Sequence, residues 1–233
     1  MIIRALFTKK NYLKYISHLD LARLFHRSFN RSQIPIKYSE GFNPHPKFSI
    51  ASPLSLGIES EGEYIEVDLA NNIPIGEFIE KMNYALPDDI QIIKAVYLDN
   101  KNSKTSIVNW AFYKIKFQVF EEKGLDNISD KIDEWIKKDE ILITKFKKKG
   151  KIKTPVEVNI LSLIGNVIVK GIDEKNFIEI NTLLKSGEFG NLKPIDFIDA
   201  MNRDLALNID MDSVMLKRLA LFAEDNGNIY SPL

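Results

Sequence analysis

The sequence predicts an α+β protein made of two tandem ferredoxin-like (βαββαβ) halves with antiparallel sheets. Three observations lead there. The first hundred residues alternate apolar or period-two runs with two segments of helical periodicity. A short polar stretch, Asp99-Asn100-Lys101-Asn102-Ser103-Lys104, then breaks the pattern as an interdomain linker does. The rest of the chain repeats the plan in pattern, without a residue-level repeat. The expected domains are residues 1–100, carrying a His/Pro loop, and residues 105–233.

Each element has a local reason. Residues 1–9 are strongly apolar and alternate poorly, which predicts a buried strand. Ser17 and Asp20 stand at the N-cap and N3 positions of a helix, a capping box with Asp in place of Glu. Leu21, Leu24, Phe25 and Phe29 follow at helical spacing, and Gln33 and Pro35 end the run. Ile34–Tyr38, Lys47–Leu54 and Glu61–Leu69 read as strands, with Gly57 and Gly62 marking the turn region between the last two. Pro74 opens a second helix with Phe78, Ile79, Met82 and Leu86 on its apolar face, and Ile90–Leu98 is the next strand.

In the second half, Trp110–Phe120 reads as a long strand and Ile128, Ile132, Trp135 and Ile136 as an amphipathic helix. Ile141–Lys145 is a strand, followed by a tight basic turn at Lys147–Lys151. Val156–Leu163 and Asn166–Gly171 read as two strands joined at Gly165. Lys193-Pro194 starts a helix with Ile195, Ile198, Met201 and Leu205, and Val214–Phe222 closes the half. The residues from Ile172 to Asn191 match no template.

Composition excludes whole classes of chemistry. The chain has no cysteine. That removes disulfides, thiolate zinc sites, cysteine nucleophiles and Cys-ligated iron–sulfur clusters, and leaves His, Asp and Glu as metal ligands. An apolar content of 45% with 27% charged residues is ordinary for a globular protein. No apolar run approaches the roughly 18–20 residues that span a bilayer. The N-terminus lacks the pattern of a signal peptide, so no membrane contact and a cytoplasmic location are expected. Net charge is zero but uneven: residues 1–50 hold nine Lys/Arg against two acids, and residues 51–100 hold two Lys against ten acids. The basic stretch either faces an anionic partner or lies beside the acidic one and is neutralised by it.

The segment Tyr38-Ser39-Glu40-Gly41-Phe42-Asn43-Pro44-His45-Pro46-Lys47 concentrates chemistry. Two prolines flank a histidine and hold the loop stiff and extended, so its polar groups are positioned at low entropic cost. All three histidines lie between residues 18 and 45. A metal shared by His18 and His26 fails on geometry, since eight helical residues rise about 12 Å. His18, at a helix start, reads either as a core-edge residue or as an anion ligand beside His45 and Lys47.

Arg23, Arg27 and Arg31 at i, i+4 and i+8 form a basic stripe, read either as a solvated face or as a phosphate contact. Six lysines among residues 145–153 form a second basic patch, read either as an edge guard or as a nucleic-acid contact. The sequence contains no P-loop, dinucleotide glycine pattern, metalloprotease helix or nucleophile elbow, and no cofactor is expected. The candidate ligand- or RNA-binding residues are Ser17, His18, Arg23, Arg27, Tyr38, Glu40, Phe42, Asn43, His45 and Lys47. His18 and His45 are the candidate acid and base, and no residue is assigned to a metal.

Three stretches carry a family resemblance: Ile16-Ser17-His18-Leu19-Asp20, Tyr38 through Lys47, and Leu54-Ser55-Leu56-Gly57-Ile58-Glu59-Ser60-Glu61-Gly62-Glu63-Tyr64. Together they resemble the radical-SAM-linked protein family, a bacterial domain of unknown function that accompanies B12-binding-type radical-SAM proteins. The match is specific over residues 1–70. The second half shares only the order of elements and the Leu192-Lys193-Pro194 helix start. The resemblance implies a stand-alone companion of a radical-SAM partner, which would itself hold the cluster.

The expected function is therefore an accessory or substrate-binding protein that acts with a radical-SAM partner on RNA or an RNA-linked anionic group. One alternative is a metal-independent RNA endonuclease using His18 and His45. Another is a module that binds a small anion through Phe42, His45 and Lys47.

Overall fold

The computed structural model describes residues 1–98, 108–120, 127–149, 152–173, 176–187 and 189–233. Among these the protein is α+β, with four α-helices and mostly antiparallel strands. It divides into two compact units, residues 1–109 with 217–233, and residues 110–216. The polar segment expected as a linker, residues 99–104, lies outside the described residues. The expected second half ran to residue 233, whereas residues 217–233 pack with the first unit.

The first unit contains β1 (Ile2–Lys9), a 3-10 turn (Asn11–Tyr15), α1 (His18–Ser32), β2 (Phe48–Ile50), β3 (Glu59–Asp68), α2 (Ile75–Ala85) and β4 (Ile92–Leu98). Its strands lie in the order β4-β1-β3-β2, each pair antiparallel. Ile3 faces Val67 and Tyr97, and Ala5 faces Ile65 and Ala95. Ile3, Ala5 and Phe7 share one face by strand alternation and are fully buried. Against them pack Leu21, Phe25 and Phe29 of α1 and Phe78 and Met82 of α2. The Phe7 and Phe25 rings meet edge to face at 5.0 Å. Burying each such aromatic contributes about 1.5–3 kcal/mol.

The other face of β1 is buried too, which explains its poor alternation. Arg4 sits there, donating to Glu66 from Nε at 3.0 Å and to the Pro232 carbonyl from Nη1 at 2.7 Å.

The cap predicted at Ser17 is present. Its Oγ accepts from the Asp20 amide at 3.1 Å, and Gln33 ends the helix in the left-handed region. The strand expected over Ile34–Tyr38 is instead two isolated bridges, Ile36 to Leu69 and Tyr38 to Pro46. Pro35 offers no backbone donor, so a continuous ladder cannot run through it.

The second unit contains β5 (Val108–Val119, from Trp110 onward), α3 (Ile128–Trp135), β6 (Leu142–Lys149), β7 (Ile152–Asn159), β8 (Ile164–Ile172), β9 (Phe177–Lys185), α4 (Pro194–Leu205) and the first part of β10 (Ile209–Asp225). Its strands run in the order β10-β5-β9-β8, and β6 and β7 form a separate two-stranded ribbon. Its core includes Trp135 and Phe197, whose rings lie 5.6 Å apart.

The unassigned stretch holds β9, which buries Ile178, Ile180, Thr182 and Leu184 in strict alternation. Thr182 hides this period in the sequence; its hydroxyl is satisfied by the Asn166 carbonyl at 2.9 Å. The strand expected over Val156–Leu163 ends at Asn159, and Leu161–Leu163 is a 3-10 turn. Most of the expected basic turn is strand, since β6 runs on to Lys149; Gly150 and Lys151 lie outside the described residues.

From Lys217, β10 belongs to the first unit, where it runs parallel to the start of β3, with Lys217 beside Glu59 and Arg218 beside Ser60. The short β11 (Asn228–Tyr230) folds back on it.

Candidate functional site

In the first unit a cleft of about 630 Å³ opens along α1. His18, Ala22 and His26 are spaced i, i+4 and i+8, which puts them on one helix face. All three line the cleft, and Arg23 lies beside them. The small Ala22 leaves room between the two imidazoles. His45 and Pro46 of the loop line the cleft as well, and Leu19 of α1 with Phe48, Ser49 and Ile50 of β2 complete the lining. The His26 and His45 rings face each other edge on, 6.4 Å apart.

The His45 loop is held at both ends and across its middle. Tyr38 donates its hydroxyl to Asn30 Oδ1 at 2.9 Å, which ties the loop to α1. The Ser39 amide donates to the His45 carbonyl at 2.8 Å, and the His45 amide donates back to Ser39 Oγ at 2.9 Å. The Lys47 amide closes the base on the Lys37 carbonyl at 2.7 Å. Gly41 sits at φ +121°, a conformation that favours glycine, and so allows the tip to turn. The flanking prolines and these bonds fix His45 by its backbone, leaving its ring exposed at the cleft.

The candidate residues separate on this geometry. His18, Arg23 and His45 come together at the cleft. Ser17 caps the helix that carries two of them. Its hydroxyl, and after it Arg23, hold the Asp20 carboxyl below the usual carboxylate range. Tyr38 acts on the loop rather than on the cleft. Glu40, Phe42, Asn43 and Lys47 are exposed on the loop, and Arg27 on α1, outside the lining. Of the expected Phe42/His45/Lys47 set, His45 alone lines this cleft. His18 is exposed, which does not fit a core-edge residue.

The arginine stripe also divides. Arg23 pairs with Asp20 at 3.1 Å, while Arg31 donates to the Ala85 carbonyl at 2.7 Å and serves helix packing. Part of the basic excess is neutralised by the acidic segment, through Arg4 with Glu66, Lys37 with Asp68 and Lys14 with Glu59.

Two residues of the site are missing from the sequence-based candidates. His26 has the signal of i+8 spacing from His18, which excludes a shared metal but also puts both rings on one face. Ser39 has no signal beyond its place before the loop tip. Among the described residues no group of three or more His, Asp or Glu is disposed to hold a metal ion. A cleft with three imidazoles and a guanidinium can donate hydrogen bonds to an anion, and a histidine pair can exchange protons with it.

Comparisons with known proteins reach the family and the fold. A bacterial family described as "Uncharacterized protein conserved in bacteria (DUF2344)" matches residues 3–194. No curated protein matches the chain. Among solved structures, a chain from the crystal structure of a Cbf5-Nop10-Gar1 complex is similar over 95% of this chain, with a TM-score of 0.50 and 10% identity. At that identity the likeness concerns fold alone. This chain spans about half of that one, 50% of its length. Among the described residues no helix is long and apolar enough to cross a membrane.

Proposed function

The chain belongs to that uncharacterized bacterial family, and from this premise we propose that it is a substrate-binding accessory protein whose α1 cleft takes a phosphate-class anion carried on RNA. One observation carries the reading. Three imidazoles and Arg23 converge on a single cleft whose lining holds no carboxylate among the described residues. Imidazole and guanidinium donors suit phosphate oxygens, and a loop already fixed by Ser39 loses little entropy on binding.

Two finer points belong to the same proposal. The partner is a radical-SAM protein, a reading supported by the resemblance over residues 16–20, 38–47 and 54–64. Both units are ferredoxin-like, a reading supported by their strand orders. β4-β1-β3-β2 and β10-β5-β9-β8 are the same order, with β6–β7 as an inserted ribbon.

A 5′-phosphorylated RNA dinucleotide is the test ligand. It should raise the melting temperature of the wild-type protein, and His18→Ala and His45→Ala should each remove most of that rise. An unchanged rise in both variants overturns the cleft assignment. Affinity capture from cytoplasm, scored for a radical-SAM protein and for RNA, tests the partner; recovery of neither leaves the accessory role unsupported.

The placement of His18 and His45 on one cleft also favours a second reading, metal-independent RNA cleavage. One imidazole would remove the ribose 2′-proton as that oxygen attacks phosphorus, and the other would protonate the departing 5′-oxygen. Wild-type protein that leaves cellular RNA intact rules this out.

A further inference from the structure

A second feature lies entirely in the other unit and is not used by the α1 cleft. The β6–β7 ribbon stands apart from the main strands of its unit. Its register sets Phe146 opposite Pro155 and Lys147 opposite Thr154. Phe146 is 67% exposed, a large apolar side chain left in solvent on a lysine-rich strand. Lys147 and Lys153 are exposed near it, and Lys153 shares its face by strand alternation. At the base of the ribbon, Phe146 and Lys145 meet Lys193 and Arg203 around a cleft of about 570 Å³, large enough for a nucleotide. Arg203 anchors α4 to the ribbon by donating to the Leu142 carbonyl at 2.7 Å.

We propose that this ribbon and the cleft at its base bind single-stranded RNA, with Phe146 as a stacking platform and Lys145, Lys147, Lys153 and Lys193 along the backbone. Lysines that only guard an exposed strand edge need no aromatic among them. An exposed ring flanked by cations is the combination that holds unpaired bases, since every base has a face to stack while the charges follow the phosphates.

The cleft also carries Asp196 and Asp199. Burial, and after it Asp196, push the Asp199 carboxyl above its ordinary value. Two carboxylates repel phosphate, so the backbone runs over the lysines and a base edge with its N–H donors turns towards the acids.

The test uses the whole chain and a fluorescent 12-nucleotide uridine RNA with a 5′-hydroxyl end, read by anisotropy. Phe146→Ala should weaken binding by about ten-fold at unchanged melting temperature. Lys147→Ala with Lys153→Ala should lower the slope of log affinity against log salt by about 1.4, roughly 0.7 for each phosphate no longer neutralised. Wild-type affinity in Phe146→Ala overturns the proposal, as does a duplex of equal length bound as tightly, or no binding at all. This probe has no terminal phosphate and the dinucleotide is too short to follow the ribbon, so failure here and failure of the α1 cleft give different results.

Discussion

Asp204 shows how a single carboxylate couples local chemistry to stability. Burial alone would raise its carboxyl. Hydrogen bonds from Arg203 and from the indole of Trp135 outweigh that, and its value ends below the ordinary range. Trp135 Nε1 donates to Asp204 Oδ2 at 2.9 Å, and Trp135 is itself fully buried between α3 and α4. A carboxyl depressed in the folded state stabilises above the unfolded value of about 3.9, and that stability is lost as pH falls through the lower folded value. The melting temperature should therefore drop on acidification below about pH 4, with a change in Trp135 emission. Asp204→Asn keeps an acceptor for the indole but cannot titrate, so its acid slope should be shallower. A slope equal to wild type would rule out Asp204 as the source. Residues whose role is local are the most legible in the sequence: the Ser17 cap follows from its spacing to Asp20 alone. Ser39 is not, because its bond to His45 needs a loop that closes on itself.

At the scale of elements, periodicity locates all four helices of the described residues and misses where backbone or polar residues break the period. Pro35 turns an expected strand into two bridges, and Thr182 hides β9. Glycine carries a different signal. Gly62 reads as part of a turn region, but it lies inside β3, where the neighbouring strand comes close. A Cβ there would sit 2.9 Å from the Leu219 carbonyl oxygen and 3.2 Å from the Ala220 Cα. Both are backbone atoms of β10, so no side chain can move aside. Gly62→Ala should force β3 and β10 apart and cost about 1–3 kcal/mol. Both tryptophans, Trp110 and Trp135, belong to the other unit. Amide exchange in β1 and β3 is therefore the measurement that reads this loss, and unchanged protection there would mean the strands tolerate the methyl group.

At the scale of the whole molecule, the sequence shows a linear order and the first unit is not linear. Residues 217–233 return to a unit that begins at Met1. No local pattern signals this, because the partners lie more than a hundred residues apart. The join is ionic and buried. Arg218 is 1% exposed and donates from Nε to Glu63 Oε1 at 2.7 Å, with a second, shorter bond to Oε2 and another to the Ser52 carbonyl. Lys9 lies close by, its ammonium desolvated and its value lowered by burial, an effect that Glu63 opposes and Arg218 reinforces. Removing the guanidinium alone would strand a buried carboxylate next to a poorly solvated lysine. Replacing both partners by apolar groups leaves no unpaired carboxylate, and Lys9, though it loses Glu63, keeps its bond to the Ile16 carbonyl at 3.1 Å. Arg218→Ala should therefore cost about 3–5 kcal/mol, and Arg218→Met with Glu63→Leu markedly less. Amide exchange across β1 and β3 separates the two cases. If the single and double variants lose protection equally, the pair is not what holds the C-terminal segment in place. The α1 cleft supplies a functional readout of the same loss, since His45 and β2 are positioned by the sheet that this segment completes.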